Sequence, residues 1–213
     1  MKLLAVVRVV AEAMLDAVVP RRARALRTST RTAEDIPLSP TVHELLGVRI
    51  TTLMDYRREE TQDLVRSLKY DASGHAAKLA AELLADYLRE EIAGARTFST
   101  KKILIVPVPL HKNRLRERGF NQIELVLNAL PEEFRVNVVS ALERTRETKP
   151  QTKLPRSERL SNVAGVFAAT QDVAKTHVFL VDDVTTTGAT LANAATPLRR
   201  AGAEVTLLAL ARA

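Results

Sequence analysis

The sequence predicts an α/β fold: a mainly parallel central sheet flanked by helices, with an N-terminal helical appendage. Three observations carry this expectation. From Lys101 onward, short apolar runs alternate with amphipathic stretches of helical period. The runs Ile103–Val106 and Val178–Val181 are continuously apolar, the pattern of strands covered on both faces. Polar motifs follow these runs directly, and open α/β sheets bind their ligands beyond the carboxyl ends of the strands.

Taken in order, Leu3 to Val19 is apolar but interrupted by Arg8, Glu12 and Asp16, which form one polar stripe on a helix. This is an amphipathic packing helix, with attachment to a membrane surface as the lesser alternative. Its longest unbroken apolar run, Leu3 to Val7, falls far short of the ~20 residues of a spanning helix and of a signal-peptide core. The expected location is therefore the cytoplasm. Arg21, Arg22, Arg24, Arg27 and Arg31 stand among Ser and Thr and lead to Pro37 and Pro40, which reads as a basic, poorly structured connector. Residues 1–54 thus form the appendage and residues 55–213 the main domain.

Arg58–Tyr70 and His75–Ile92 read as helices joined by a turn over Asp71–Gly74, the second with Leu79, Leu83, Leu84, Tyr87 and Leu88 on one face. After the Ile103–Val106 strand, Asn121–Leu130 is helical and Val136–Leu142 a β-branched strand. Arg144 to Arg156 is charged and contains two prolines, so it is a loop with room for a short hairpin. Val178–Val181 is a strand, Ala189–Arg200 a helix closed by Gly202, and Val205–Leu210 the last strand.

Composition narrows the chemistry. With 213 residues, 46% apolar and 27% charged, the chain has the make-up of a globular protein. It has no cysteine, which excludes disulfides, Cys-based zinc sites, iron–sulfur clusters and a cysteine nucleophile. The four histidines are scattered and none pairs at metal-ligand spacing. The net charge of +7 favours polyanionic partners: nucleic acid, an anionic membrane or a multiply phosphorylated small molecule.

The strongest motif runs from Val178 to Thr190: an apolar strand, Asp182-Asp183, then Val184-Thr185-Thr186-Thr187-Gly188-Ala189-Thr190. Backbone N–H groups in such a turn, with a helix N-terminus behind them, bind anions, and Gly188 permits close approach. Adjacent carboxylates repel a phosphate and want hydroxyl donors or a cation, so a sugar diol and Mg²⁺ are their natural partners. Together these features describe a site for a ribose 5-phosphate. A helix cap and a Thr-rich turn without a ligand is the bland alternative. A Gly-x-x-x-x-Gly-Lys phosphate loop is absent.

This block resembles the motif with which type I phosphoribosyltransferases bind phosphoribosyl pyrophosphate (PRPP). A second motif, Val106-Pro107-Val108-Pro109-Leu110 leading through Lys112, Arg114, Arg116 and Arg118 to Gly119-Phe120-Asn121-Gln122, resembles the signature of the ComF family. These are phosphoribosyltransferase-like proteins associated with competence and DNA uptake. Further likeness lies in Ser67-Leu68-Lys69-Tyr70 and in Lys149-Pro150-Gln151-Thr152 through Arg156, Glu158, Arg159, Asn162, Gly165 and Phe167. The resemblance covers most of Asp55 to Ala213.

It implies a type I phosphoribosyltransferase fold, with residues 1–54 contributing a hood. It also implies PRPP as substrate, Mg²⁺ as cofactor and a nitrogen acceptor. Thr185, Thr186, Thr187, Gly188, Ala189 and Thr190 would hold the 5-phosphate. Asp182 and Asp183 would hold the ribose hydroxyls and Mg²⁺, directly or through water. Val108, Leu110, His111, Arg114 and Arg118 would hold pyrophosphate, backbone N–H groups from the first three and guanidinium charge from the last two. Arg144, Lys149 and Arg159 would act from a catalytic loop that closes over the substrate, together with Arg146, Lys153 and Arg156. Lys112 and Arg116 individually read as solvated charges.

Two departures qualify the resemblance. Relatives usually begin with a Cys-x-x-Cys zinc module, whereas Val18 to Ala25 here carries no thiol, so no zinc is expected. Purine-salvage enzymes place an Asp three residues after the second acid, and Thr186 stands there instead, which argues against hypoxanthine or guanine as acceptor. A second function class stays open: a non-catalytic nucleic-acid-handling protein. It would use Arg21–Arg31, Lys112–Arg118 and Arg144–Arg159 along single-stranded DNA, with Phe120 as a stacking platform, or partner the DNA-uptake and recombination machinery. Homodimer formation is also left open.

Overall fold

The structure, a computed structural model, describes residues 21–146 and 165–213. The Leu3–Val19 helix, Lys149 and Arg159 therefore lie outside the described residues. The chain opens with α1 (Arg21–Ser29) and a 3₁₀ turn at Ala33–Asp35. The hairpin β1 (Thr41–Leu45) and β2 (Val48–Asp55) follows, then α2 (Glu59–Asp71) and α3 (Gly74–Phe98). Next come β3 (Lys102–Pro107) and three short helices, α4 (Lys112–Arg118), α5 (Gln122–Asn128) and α6 (Glu132–Arg135). β4 (Leu142–Arg144) and β5 (Phe167–Ala169) make a small antiparallel ribbon, and β6 (Thr176–Thr185), α7 (Ala189–Arg200) and β7 (Glu204–Arg212) complete the fold.

The central sheet has the order β1-β2-β7-β6-β3, parallel except for the edge strand β1. Period-two alternation along β6 divides the core between its two faces. Phe179 and Val181 join one buried cluster with Leu64 and Leu68 of α2, Leu84 and Leu88 of α3, and Ile123 and Leu127 of α5. Val178 and Leu180 join the other with Leu191, Ala194, Ala195 and Leu198 of α7. This is the doubly covered α/β sheet that the apolar strand pattern predicts.

Several local expectations are corrected. The sheet runs across the expected boundary at residues 54 and 55, because β1 and β2 are two of its strands. Their β-branched run turns at Leu46 and Gly47, whose φ values of 56° and 72° suit a tight two-residue hairpin. The expected 136–142 strand reduces to a bridge between Val138 and Ile105, with Val136 71% exposed, and regular pairing starts only at Leu142. Lys112–Arg118 is a helix, not a loop. His111 Nδ1 accepts from the Asn113 N–H at 3.3 Å at its start, and Gly119 at φ 83° closes it.

The largest correction concerns the supposed connector. Residues 21–29 form α1, and Arg24 and Arg27 on it are committed to acids on α2. Arg24 grips both oxygens of Asp71 at 3.2 and 3.0 Å. Arg27 donates to Asp63 at 2.8 and 2.9 Å, and Arg31 reaches the same carboxylate at 3.1 Å. The Asp63 side chain is only 3% exposed, so two guanidinium groups answer one buried charge. Thr28 and Ser67 hydroxyls bond across the same interface at 3.0 Å. An Arg-rich stretch looks disordered in sequence because its counter-charges stand more than thirty residues away.

Stranding a buried carboxylate is costlier than losing an exposed cation. The double variant Arg27→Ala with Arg31→Ala is expected to lose about 3 kcal/mol in urea unfolding. Asp63→Asn, which removes the buried charge itself, should lose clearly less.

Candidate functional site

The site is built where β6 leaves the sheet. The strand continues past its apolar run through both acids to Thr185, pairing Asp182 with Ala209 and Thr185 with Arg212. Strand alternation therefore gives the adjacent carboxylates different surroundings. Asp183 follows Val181 toward α2, where its Oδ2 lies 3.8 Å from Lys69 Nζ. Asp182 lies in the field of Arg144, supplied by β4 on the other side. Each acid also accepts the next residue's amide: Asp183 N–H donates to Asp182 Oδ1 at 2.9 Å, and Val184 N–H to Asp183 Oδ1 at 2.6 Å.

Lys69, Arg118 and Arg144 face this pair, and Arg114 stands beside the two arginines. Arg114 and Arg118 stand four residues apart on α4, share a face and are half-buried, while Lys112 and Arg116 are exposed. Burial lowers the Arg118 pKa, Asp183 works against that effect, and Arg114 adds repulsion. Burial likewise lowers Arg144, reinforced by Arg114 and opposed by Asp182. Lys69 is raised, chiefly by Asp183 and against the effect of burial. Asp182 is pushed well above the ordinary carboxylate range, first by burial and then by Asp183, although Lys69 and Arg144 pull the other way. The arginine fields overlap, so Arg114, Arg118 and Arg144 form one positive wall.

Two short elements fix that wall. β4 pairs with β5 so that Arg144 stands opposite Phe167, with its guanidinium 5.5 Å from the ring centroid. On the other side, Asn121 is 4% exposed and joins the β3 end to α5. Its Nδ2 donates to the Val108 carbonyl at 3.2 Å, and its Oδ1 accepts from Ile123 N–H at 3.2 Å. The Arg-Gly-Phe-Asn-Gln stretch is in part a structural joint.

The 185–190 turn has a divided character. Gly188 caps α7 at φ 79°, and a Cβ there would lie 2.7 Å from Ile50 Cδ1 and 3.0 Å from Leu45 Cβ. Both conformation and space therefore demand glycine. Thr185 and Thr187 are buried, and Thr187 Oγ1 accepts from Ala189 N–H at 3.4 Å. Thr186 is exposed and Thr190 half-buried at the start of α7.

Set against the sequence expectations, the structure brings together Asp182, Asp183, Arg114, Arg118, Arg144 and the 185–190 turn. Leu110 and His111 are half-buried between β3 and α4. Val108 is a correction: its N–H donates to Val181 O at 2.9 Å and extends the sheet, so it has no proton to offer pyrophosphate. Lys69, absent from the expected site residues, joins the group through Asp183. Its sequence signal is the Ser67-Leu68-Lys69-Tyr70 block that carries part of the family likeness.

Among the described residues no group of three or more His, Cys, Asp or Glu forms a metal cage. Two carboxylates suit Mg²⁺ that arrives with substrate oxygens, since Mg²⁺ is commonly held by one or two carboxylates plus phosphates. The donor set fits that mode.

The Asp182 shift has a stability consequence. A carboxyl with a raised folded pKa favours the fold while protonated, and that contribution is lost as pH rises through the folded value. The ligand-free protein should therefore lose stability from the ordinary carboxylate range upward. Urea unfolding at pH 5 and pH 8 should show a smaller decline for Asp182→Asn than for the wild type.

No protein-family model matches the chain. It is 34% identical over 157 residues to the DNA utilization protein YhgH of Escherichia coli K12, covering 73% of this chain and 67% of that protein. It is 29% identical over 161 residues to the competence protein ComFC of Streptococcus pneumoniae, covering 76% and 66%. It is 34% identical over 114 residues to the competence protein F of Haemophilus influenzae, covering 51% and 50%. Among solved structures, Mycobacterium tuberculosis orotate phosphoribosyltransferase aligns at 12% identity and TM-score 0.37 over 89% of this chain and 95% of that one. A Corynebacterium diphtheriae phosphoribosyltransferase aligns at 13% and 0.38, over 89% and 96%. Likeness at that level adds nothing to the assignment, which rests on the sequence relatives: the chain belongs to the ComF family of competence and DNA-utilization proteins.

Proposed function

We propose that the protein binds PRPP with Mg²⁺ and transfers its 5-phosphoribosyl group to a nitrogen acceptor, releasing pyrophosphate. The observation that carries this reading is that Arg118, Arg144 and Lys69 face Asp182 and Asp183, with Arg114 beside the two arginines and the glycine-capped N-terminus of α7 adjacent. PRPP has a matching layout, with a phosphate at one end, a diol in the middle and a pyrophosphate at the other. The turn from Thr186 to Thr190 would take the 5-phosphate. The aspartates would take the hydroxyls, and the arginine wall the pyrophosphate.

In the reaction the bond from the anomeric carbon to the pyrophosphate oxygen breaks, and the electron pair leaves with pyrophosphate. Positive charge then develops on the ribose ring, and the carboxylates of Asp182 and Asp183 stabilise it. Arg114, Arg118 and Arg144 hold the departing charge through their planar N–H forks. Bound Mg²⁺, held by Asp182 and Asp183, would supply further neutralisation of the pyrophosphate oxygens. The acceptor nitrogen attacks the opposite face and gives its proton to water.

A second reading, nucleic-acid handling, is favoured by the relatives' DNA-utilization and competence names. In this reading the phosphates would meet cations that are not already paired within the molecule. Arg24, Arg27 and Arg31 are paired within the molecule, so the α1 segment is a poor phosphate track. The outward face of α4, with exposed Lys112 and Arg116, is a better one. No described helix is long and apolar enough to cross a membrane.

PRPP with Mg²⁺ at about 100 times its dissociation constant should stabilise the fold by about 2.7 kcal/mol. Thermal unfolding should show this for the wild type and not for Asp183→Asn, with the variant still folded by circular dichroism. An unmoved transition in the wild type would contradict the proposal.

The two faces of α4 should also separate. Arg114→Ala and Arg118→Ala should weaken PRPP binding, whereas Lys112→Ala with Arg116→Ala should leave it intact and weaken single-stranded DNA binding. Each lost phosphate contact should reduce the log–log salt slope by roughly 0.7.

A further inference from the structure

Lys69 has a feature that substrate binding alone does not explain. It sits in the last turn of α2, a helix anchored by Leu64, Val65 and Leu68, each at most 1% exposed. That anchoring fixes where its ammonium points. The Nζ lies 3.8 Å from Asp183 Oδ2, at the carboxylate expected to meet a divalent cation. Arg118 and Arg144 add charge from α4 and β4. Three cationic side chains thus face two carboxylates, so the ligand-free site carries an excess of positive charge although acids lie at its centre.

Such a site repels a bare divalent ion and attracts the same ion wrapped in polyphosphate, whose net charge is negative. We propose that Lys69 is a built-in counter-cation of Asp183 that excludes free divalent metal from the acid pair. A polyphosphate then relieves the exclusion by drawing the ammonium onto its own oxygens. The metal therefore enters only as a complex with polyphosphate, and Lys69 sets that order.

The geometry supports this role in two ways. A cation bound at Asp183 Oδ2 at ~2.1 Å would lie within a few ångströms of the ammonium, where unit charges interact strongly at the effective dielectric of a half-buried site. The described residues also offer no third His, Cys, Asp or Glu ligand to compensate the repulsion. The proposal deepens the PRPP reading and rests on it, because it needs a site that accepts polyphosphate.

Mn²⁺ binding, measured by electron paramagnetic resonance with and without inorganic pyrophosphate, tests it. Lys69→Met keeps the side-chain length and removes the charge, Lys69→Arg keeps the charge, and Asp183→Asn removes the ligand. Without pyrophosphate, Lys69→Met should bind Mn²⁺ at least about tenfold more tightly than the wild type. Lys69→Arg should behave as the wild type, which also checks that the gain follows charge and not a disturbed fold. Adding Asp183→Asn to Lys69→Met should abolish the gain. With pyrophosphate the wild type should bind Mn²⁺ well.

Equal binding of free Mn²⁺ by wild type and Lys69→Met, while the wild type still binds Mn²⁺ with pyrophosphate, would overturn the Lys69 proposal alone. Lys69→Arg binding free Mn²⁺ as tightly as Lys69→Met would do the same. Failure of the wild type to bind Mn²⁺ even with pyrophosphate would overturn the polyphosphate reading and the Lys69 proposal with it.

Discussion

Two neighbouring carboxylates at the end of a buried strand impose the constraint around which this molecule is arranged. Asp182 and Asp183 follow four apolar residues of β6, half-buried where like charges repel and hydration is poor. A fold tolerates that only if positive charge is brought to them. Three separate elements bring it: α2 with Lys69, α4 with Arg114 and Arg118, and β4 with Arg144. None of these residues is a sequence neighbour of the acids. The packing of helices on the sheet, through Leu64 and Leu68 on one side and the Leu142–Phe167 ribbon on the other, is what assembles the site.

The basic character of the chain consequently has two destinations. Arg24, Arg27 and Arg31 neutralise Asp63 and Asp71 and fasten α1 to α2, the helix that presents Lys69. Arg118 and Arg144 instead face Asp183 and Asp182, and Arg114 stands beside them, so this region keeps a surplus of positive charge. The clamp and the site therefore share one helix. α1 is fastened by ion pairs and by the buried contact between Thr28 and Ser67, and the chain has no thiol. Membership of a competence and DNA-utilization family is compatible with either a small polyphosphate or a nucleic acid as the anion, and the inward and outward faces of α4 are where the two would differ.

Much of this was legible in the sequence. The continuous apolar runs read as covered strands, and α7 begins and ends where its periodicity and Gly202 indicate. The Asp182-Asp183 pair and the Gly188 turn are legible because their motif is local. What stayed hidden was non-local. The α1 arginines looked unpartnered because Asp63 and Asp71 lie far along the chain. Lys69 carried no local sign that α2 would set it against Asp183. The Val108 amide looked available because its ladder partner, Val181, belongs to another strand. The hairpin at Thr41–Asp55 was missed because its turn, Leu46-Gly47, lacks the Asn or Asp that usually announces one.

The central claim is that acids, arginine wall and helix N-terminus form one site for a ligand with phosphate at both ends. Equilibrium dialysis of PRPP against its two halves, ribose 5-phosphate and pyrophosphate, each with Mg²⁺, tests it most directly. The account predicts that PRPP binds more tightly than either half, since only PRPP engages the turn, the aspartates and the wall together. Pyrophosphate binding as tightly as PRPP, with ribose 5-phosphate not bound at all, would contradict it and leave a basic patch that takes any polyanion.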